Sequence, residues 1–314
     1  MGDLIQSINE ASVPFLVWVQ EFQVDSLTSF FGLMSWMGTA MFYIFFFPFI
    51  YWSVSKQWGI TTALALLAAD YISEFIKWTF KLQRPPSPPV QRLWEETSPG
   101  FVSSHASDSV AVWGTLAVLV RKWWFTVLAL VIILSIGLSR LYLGVHFPAD
   151  VIGGWLVGLF AMWLVLWLVP RITPTIARWP VAGQFAGIIA LVVVILAIAP
   201  SDWEGMRPVE SSVRSAGLIA GALLGLMWDH HLLQFSTEGG IGQRILRYFA
   251  GILLVAAAYL GLSYLFSPLS ASSNILDQSL RLIRYGLVGF VITGFAPWLF
   301  LRIGLAQPAS DESV

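Results

Sequence analysis

Cysteine is missing from all 314 residues, which excludes disulfides and thiolate chemistry. Charge is nearly as scarce: Lys, Arg, Asp and Glu make up 11% of the chain, against about 25% in a soluble domain. The 17 basic and 18 acidic residues almost cancel, so there is no basic surface for nucleic acid and none is expected as a partner. No Lys or Arg precedes Lys56, and without a basic start no cleavable signal peptide is expected. What is abundant is apolar, 57% of residues, with 22 Phe and 16 Trp. The chain therefore reads as an integral, polytopic membrane protein of all-α class.

A helix needs roughly 20 apolar residues to cross ~30 Å of hydrocarbon. On that ruler, spans are expected near 30–53, 59–79, 105–120, 124–139, 149–169, 183–200, 213–229, 245–266 and 283–303, a transmembrane helical bundle of about nine spans. Residues 1–28 alternate Ile5, Ile8, Phe15, Trp18 and Phe22 with Asp3, Glu10, Glu21 and Asp25, which predicts an amphipathic interfacial segment broken near Pro14. The expected organisation is that segment, then a core over 29–170, then additional C-terminal transmembrane helices over 171–314. Arg121-Lys122 and Arg171/Arg178 sit in predicted tight turns, where the positive-inside rule is most reliable, and they assign those turns to the cytoplasm. The loops 80–104 and 139–149 then share the non-cytoplasmic side. Topology gives the cations there no reason to exist, so they need a chemical one.

Three patches supply it. In Ser139-Arg-Leu-Tyr-Leu-Gly-Val-His146-Phe-Pro148-Ala-Asp150, the proline suits a first helical position, placing His146 at a helix mouth and Asp150 one turn inside. A carboxylate there can hold one imidazole nitrogen and leave the other free to attack. Arg140 adds a forked, permanent cation, and the helix start offers unpaired N–H groups suited to an anion. The second patch is Lys77-Trp-Thr-Phe-Lys-Leu-Gln-Arg84-Pro85: Lys77 and Arg84 are seven apart, about two helical turns, and project from one face. Lys81 reads as a residue that snorkels to the interface. The third is Ser103-Ser104-His105, a helix cap followed by a histidine able to protonate a departing oxygen. No carboxylate cluster with metal-binding spacing lies among them, so neither a metal nor another cofactor is expected.

Lys77-x6-Arg84-Pro85, Ser103-x-His105 and Ser139-Arg140-x5-His146-x3-Asp150 together resemble the type 2 phosphatidic acid phosphatase superfamily, which includes lipid phosphate phosphatases, glucose-6-phosphatase and vanadium haloperoxidases. The resemblance covers about residues 30–169. Arg84-Pro-Pro-Ser-Pro-Pro-Val and Ser139-Arg-Leu-Tyr-Leu-Gly-Val-His146 look most like sphingosine-phosphate phosphatases, whose span layout is similar. It implies that His146 attacks phosphorus, that Asp150 orients it, and that His105 protonates the leaving oxygen and then activates water. It also implies that Lys77, Arg84 and Arg140, with Ser103, Ser104 and the adjoining backbone, bind the phosphoryl oxygens. One departure is Val102, where the family's second signature usually has proline; it loosens the turn before Ser103.

Outside the signatures, Asp70 and Glu74 lie inside a predicted span, and Glu74 is placed to pair with Lys77 or to act directly. Asp108 either supports His105 or solvates the helix start. His230-His231 face different ways on a helix and make a poor metal site. Prolines over 84–90 stiffen the rim, and Trp94, Glu95 and Glu96 would form a lid. Gly217, Gly221 and Gly225 allow close helix packing, on the core or on a second copy in a homodimer. The expected function is metal-independent hydrolysis of a membrane lipid phosphate monoester (sphingoid-base phosphate, phosphatidic or lysophosphatidic acid) through a phosphohistidine. The site would lie on the non-cytoplasmic side of a bacterial inner membrane or an endoplasmic-reticulum-type membrane. The enzymatic alternative is an isoprenoid diphosphate or sugar-phosphate phosphatase; from another class, a lipid carrier or flippase retaining the pocket.

Overall fold

Long apolar runs with few breakers fold into helices, and the computed structural model of residues 2–201, 208–270 and 274–309 is built from twelve of them among the described residues. We label them α1 (Gly2–Ala11), α2 (Val13–Gln20), α3 (Asp25–Trp36), α4 (Ala40–Val54), α5 (Lys56–Phe80), α6 (104–120), α7 (Trp123–Tyr142), α8 (Pro148–Ala177), α9 (Val181–Ala197), α10 (Glu210–Leu233), α11 (Ile241–Pro268) and α12 (Ile275–Arg302). The protein is an all-helical polytopic membrane bundle. Six helices (α5, α7, α8, α10, α11 and α12) are long and apolar enough to cross a bilayer, and α3 with α4, bent by 60°, makes a seventh if the pair is one span.

Two of the nine expected crossings fall short of this count for visible reasons. Helix α9 has 17 residues, about 26 Å at 1.5 Å per residue. Helix α6 opens on Ser-His-Ala-Ser-Asp-Ser, so its apolar part starts only at Val110. The N-terminal segment is not one helix: α1 ends at Ala11, α2 starts at Val13 with Pro14 in its first turn, and α3 starts at Asp25.

The chain divides into two compact units, one made of residues up to Ile44 with Thr61–Val169, the other of Phe45–Ile60 with the chain from Pro170 onward. In the first unit, small residues bring helices into close register. Ala65 and Ala69 of α5, Ala111 of α6, and Ala161 and Val165 of α8 form one buried cluster. A Cβ on Gly154 would lie 2.5 Å from the carbonyl oxygen of Ser103, so α8 runs directly against the start of α6. Leu16 of α2, fully buried, packs with Val90, Ala106, Leu141, Phe147 and Val151. The helix-free segment 81–103 is pinned to the turn after α7, where Leu93 N donates to Leu143 O at 3.0 Å. Gly144, at φ +69°, leaves room there for the carbonyl of Gln91.

In the second unit, Tyr51, Trp52, Phe235, Val255, Val288 and Phe300 form the core. The glycine stripe of α10 faces α12 of the same chain: a Cβ on Gly217 would lie 2.5 Å from Leu282 O, and Gly221 and Gly225 meet Gly286 and Thr293 still more tightly. That stripe is therefore occupied by an internal contact.

Candidate active site

Pro148 starts α8, and the side chain of Asp150 reaches back over the first turn to accept from Phe147 N at 2.9 Å, the reciprocal half of a capping box. The same oxygen lies 3.2 Å from His146 Nδ1, while Asn9 Nδ2 donates to the other carboxylate oxygen at 3.3 Å. On the far side of the ring, Arg84 Nη1 lies 3.0 Å from His146 Nε2. A guanidinium can only donate, so Nε2 accepts and carries the lone pair. The proton is thus on Nδ1, donated to Asp150. Burial, reinforced by Arg84 and Arg140, holds the His146 pKa well below the ordinary 6.5. The ring is neutral, with its basic nitrogen turned toward a cation.

Arg84 is fastened by backbone. Its Nε donates to Ser98 O at 2.7 Å, Nη1 to Val145 O at 2.8 Å, and Nη2 to Ser98 Oγ at 3.1 Å and Pro99 O at 3.3 Å. Burial lowers its pKa, offset in part by Glu96. Arg140, fully buried at the end of α7, donates through Nη1 to Ser35 Oγ and through Nη2 to Glu96 Oε1. Glu96 Oε2 accepts from Arg84 Nη2 at 3.4 Å. One carboxylate thus bridges the two guanidinium groups.

Lys77 sits at the end of α5, 3% exposed, and donates to Glu74 Oε1 at 2.9 Å and Ser104 Oγ at 2.6 Å. Ser104 Oγ donates in turn to Glu74 at 3.2 Å. Ser103 caps α6 through its side chain, accepting from Ala106 N at 3.4 Å, and its own N–H donates to Asp150 O at 2.9 Å. That bond ties the start of α6 to the start of α8. His105 follows, with Gly38 against its ring; a Cβ there would come within 2.7 Å of Cδ2. His105 Nε2 and Arg140 Nε are both buried without a hydrogen-bond partner. Both atoms lie among the cations Lys77, Arg84 and Arg140, so an anion there would meet donors with capacity to spare.

Of the residues picked from sequence, Arg84, Arg140, His146 and Asp150 form one connected network, and Lys77 with Ser104 forms a second through Glu74. His105 and Lys77 are near enough to His146 to act on its charge state. Glu74 pairs with Lys77, the i,i+3 contact expected of it, and Trp78 Nε1 donates to its other oxygen at 3.1 Å. Asp108 is buried and accepts from Ser107 Oγ at 3.3 Å. Two partners carry no motif: Asn9, 141 residues from Asp150, and Ser35, 105 from Arg140. Ser35 stands out as a polar residue in the apolar second half of α3, while Asn9, on the polar-rich α1, carries no such signal.

Family models for the PAP2 superfamily match residues 58–174, and for the transmembrane extension of PAP2 superfamily phosphatases residues 213–308. The chain is 26% identical over 304 residues to sphingosine-1-phosphate phosphatase 1 of Mus musculus, covering 86% of this chain and 71% of that one. It is 28% identical over 173 residues to lipid A 4'-phosphatase of Bacteroides thetaiotaomicron, covering 51% and 76%. Among solved structures, a transmembrane PAP2-type phosphatidylglycerolphosphate phosphatase from Bacillus subtilis aligns with a TM-score of 0.47 at 22% identity, over 53% of this chain and 88% of that one. By its signatures and these matches, the chain belongs to the PAP2 superfamily of membrane lipid phosphate phosphatases, hydrolases of phosphoric monoesters.

Proposed function

We propose that the protein hydrolyses a sphingoid-base phosphate, or a closely related single-phosphate lipid, through a phosphohistidine on His146. The reading is carried by one observation: the lone pair of His146 Nε2 points at Arg84, a cation that would hold a phosphoryl group. A phosphate oxygen that takes the place of Nε2 on Arg84 brings phosphorus up to the attacking nitrogen. Nε2 then bonds to phosphorus as the bond to the lipid oxygen breaks, and His105 gives that oxygen its proton. A bound phosphate dianion favours the protonated form of His105 that this step needs. In the second half, His105 takes a proton from water, the hydroxide displaces His146 from phosphorus, and inorganic phosphate leaves. Asp150 stabilises the transient charge on the His146 ring and fixes its tautomer. Lys77, Arg84 and Arg140, with Ser103 and Ser104, neutralise the equatorial oxygens, the main source of rate in phosphoryl transfer. The chain's own cations supply the charge that a metal supplies in other phosphatases.

The reading places the catalytic side chains within 29–170, with the helices from 171 as an accessory bundle. It keeps nine crossings, with α6 and α9 as short spans and α1–α2 lying at the interface. Arg121 and Lys122 are exposed at one end of α7 and Arg140 is buried at the other, which supports cytoplasmic short turns and a site facing the opposite side. The chemistry is complete within one chain. Relatives named for sphingosine 1-phosphate, matched over most of this chain, favour the sphingoid base; the lipid A relative makes a lipid-borne sugar phosphate the second choice.

The test is phosphate release by purified protein from sphingosine 1-phosphate, lysophosphatidic acid, phosphatidic acid, farnesyl diphosphate and glucose 6-phosphate, with vanadate as competitor. Release led by sphingosine 1-phosphate, blocked by vanadate and lost in His146→Ala, is expected. Release that survives His146→Ala would remove the nucleophile; no release from any ester, with lipid transport intact, would favour a carrier.

A further inference from the structure

The carboxylate between the two arginines has no part in the chemistry above, yet it holds the position that chemistry needs. Arg84 and Arg140 would grip phosphate, and Glu96 already joins them, one oxygen to each. Neither arginine depends on Glu96 for its place, since Arg84 is held by Ser98, Pro99 and Val145, and Arg140 by Ser35. Glu96 itself rides on the helix-free segment 81–103, and its side chain is 18% exposed. It is the member of the cluster built to leave.

Charge decides what happens next. Within the ion-paired groups, Lys77, Arg84 and Arg140 are already matched by Glu74, Glu96 and Asp150 before substrate arrives. A phosphate dianion entering beside Glu96 meets a carboxylate at contact distance, and like charges juxtaposed in a desolvated site repel strongly. Two arrangements relieve this. Glu96 can swing into solvent, or a cation on the substrate can stand between it and the phosphate. A 2-amino alcohol phosphate carries an ammonium on the carbon next to the phosphorylated one and so brings its own counter-ion; phosphatidic and lysophosphatidic acids bring none.

We propose that Glu96 is a specificity-determining residue: phosphate displaces it from the Arg84–Arg140 pair, and it then pairs with the ammonium of an amino-alcohol phosphate. This rests on the phosphatase reading, but separates from it experimentally. With full-length protein in detergent, kcat/KM is measured for sphingosine 1-phosphate and for an analogue with a hydroxyl in place of the amine, close in size and without its charge, alongside inhibition by inorganic phosphate. Wild type is expected to prefer the ammonium substrate. In Glu96→Gln, the inhibition constant for inorganic phosphate should fall about tenfold, as a competing charge is removed, and the preference should collapse toward unity. A preference that persists in Glu96→Gln overturns the proposal, as does unchanged or weaker inhibition by phosphate; hydrolysis itself would continue in both cases, leaving the phosphatase reading intact. A wild type that cleaves neither substrate fails that reading instead, and this inference with it. Where Glu96→Gln yields no folded protein, Glu96→Asp replaces it: too short to bridge both arginines, it should bind phosphate more tightly and keep the ammonium preference, and inhibition equal to wild type refutes the idea.

Discussion

Each unit buries an arginine completely, and the two are treated in opposite ways. In the second unit, Arg247 donates to Trp52 O at 2.7 Å, Glu238 O at 2.7 Å and Leu305 O at 3.0 and 3.2 Å, with its guanidinium 5.3 Å from the ring centre of Phe235. Nearby, Lys56 pairs with Asp229 and donates to Phe235 O, and Asp229 accepts from Phe235 N at 2.9 Å. These ions staple helix ends to the loop after α10. In the first unit, Arg140 keeps an unpaired Nε, His105 an unpaired Nε2, and the anion facing Arg140 sits on a segment without helix. The donors of Arg247 all meet carbonyls, whereas Arg140 keeps one donor unpaired and faces a carboxylate, as the proposed phosphate site needs. Position in a membrane helix does not separate the two cases. Satisfaction does.

That contrast can be pressed hardest at the nucleophile. His146→Ala should lower kcat/KM by about 10⁴-fold or more, because it removes the lone pair proposed to bond to phosphorus; phosphate release with folding checked by circular dichroism measures it. Asp150→Asn loses the anion behind the ring and, if its amide nitrogen turns inward, the required tautomer, for a drop of about 10²–10⁴ in kcat. Arg140→Lys keeps the charge and loses the fork, and should cost about 10²-fold in kcat/KM with little change in thermal midpoint.

A smaller effect is expected from pH. If the neutral imidazole is the attacking form, its pKa, held well below 6.5 by burial, puts the loss of kcat/KM through protonation of His146 below pH 6.5. The same shift has a stability sign. In the unfolded chain the ring takes up its proton near pH 6.5, so this group favours unfolding increasingly as pH falls below that value. An acid limb centred above 6.5 would show that the ring is not held neutral. The smallest effect on chemistry belongs to the other arginine: Arg247→Met should cost about 3–5 kcal/mol of stability by stranding its carbonyls, while kcat/KM per folded molecule stays within about threefold. If Arg247→Met instead abolishes turnover in folded protein, the division between structural and ligand-binding arginines is wrong.

How much of this could be read from the chain depends on how far apart the partners lie. His146 and Asp150 share one helix start, so spacing alone suggests their juxtaposition. The two-turn spacing of Lys77 and Arg84 does not run along a helix, because α5 ends at Phe80 and Arg84 lies in the segment after it. Arg140 reaches the same point because Gly144 permits a tight turn after α7. Asn9 and Ser35 carry no spacing signal, since their partners come from distant sequence. Glu96 reads from sequence as part of a lid, and in the fold it sits inside, between guanidinium groups that no local pattern announces. The hydropathy ruler found the long helices and faltered at α6, whose opening Ser-His-Ala-Ser-Asp-Ser uses up the residues that would have made the helix apolar from its start.

The central claim is that His146 Nε2 becomes bonded to phosphorus. Rapid quenching of the wild-type protein during turnover of sphingosine 1-phosphate radiolabelled at phosphorus tests it most directly, since label caught between the two steps stays on the nucleophile. The account predicts a base-stable, acid-labile label mapping to Nε2 of His146. Phosphate release without any protein-bound label, or a label on another residue, would contradict it.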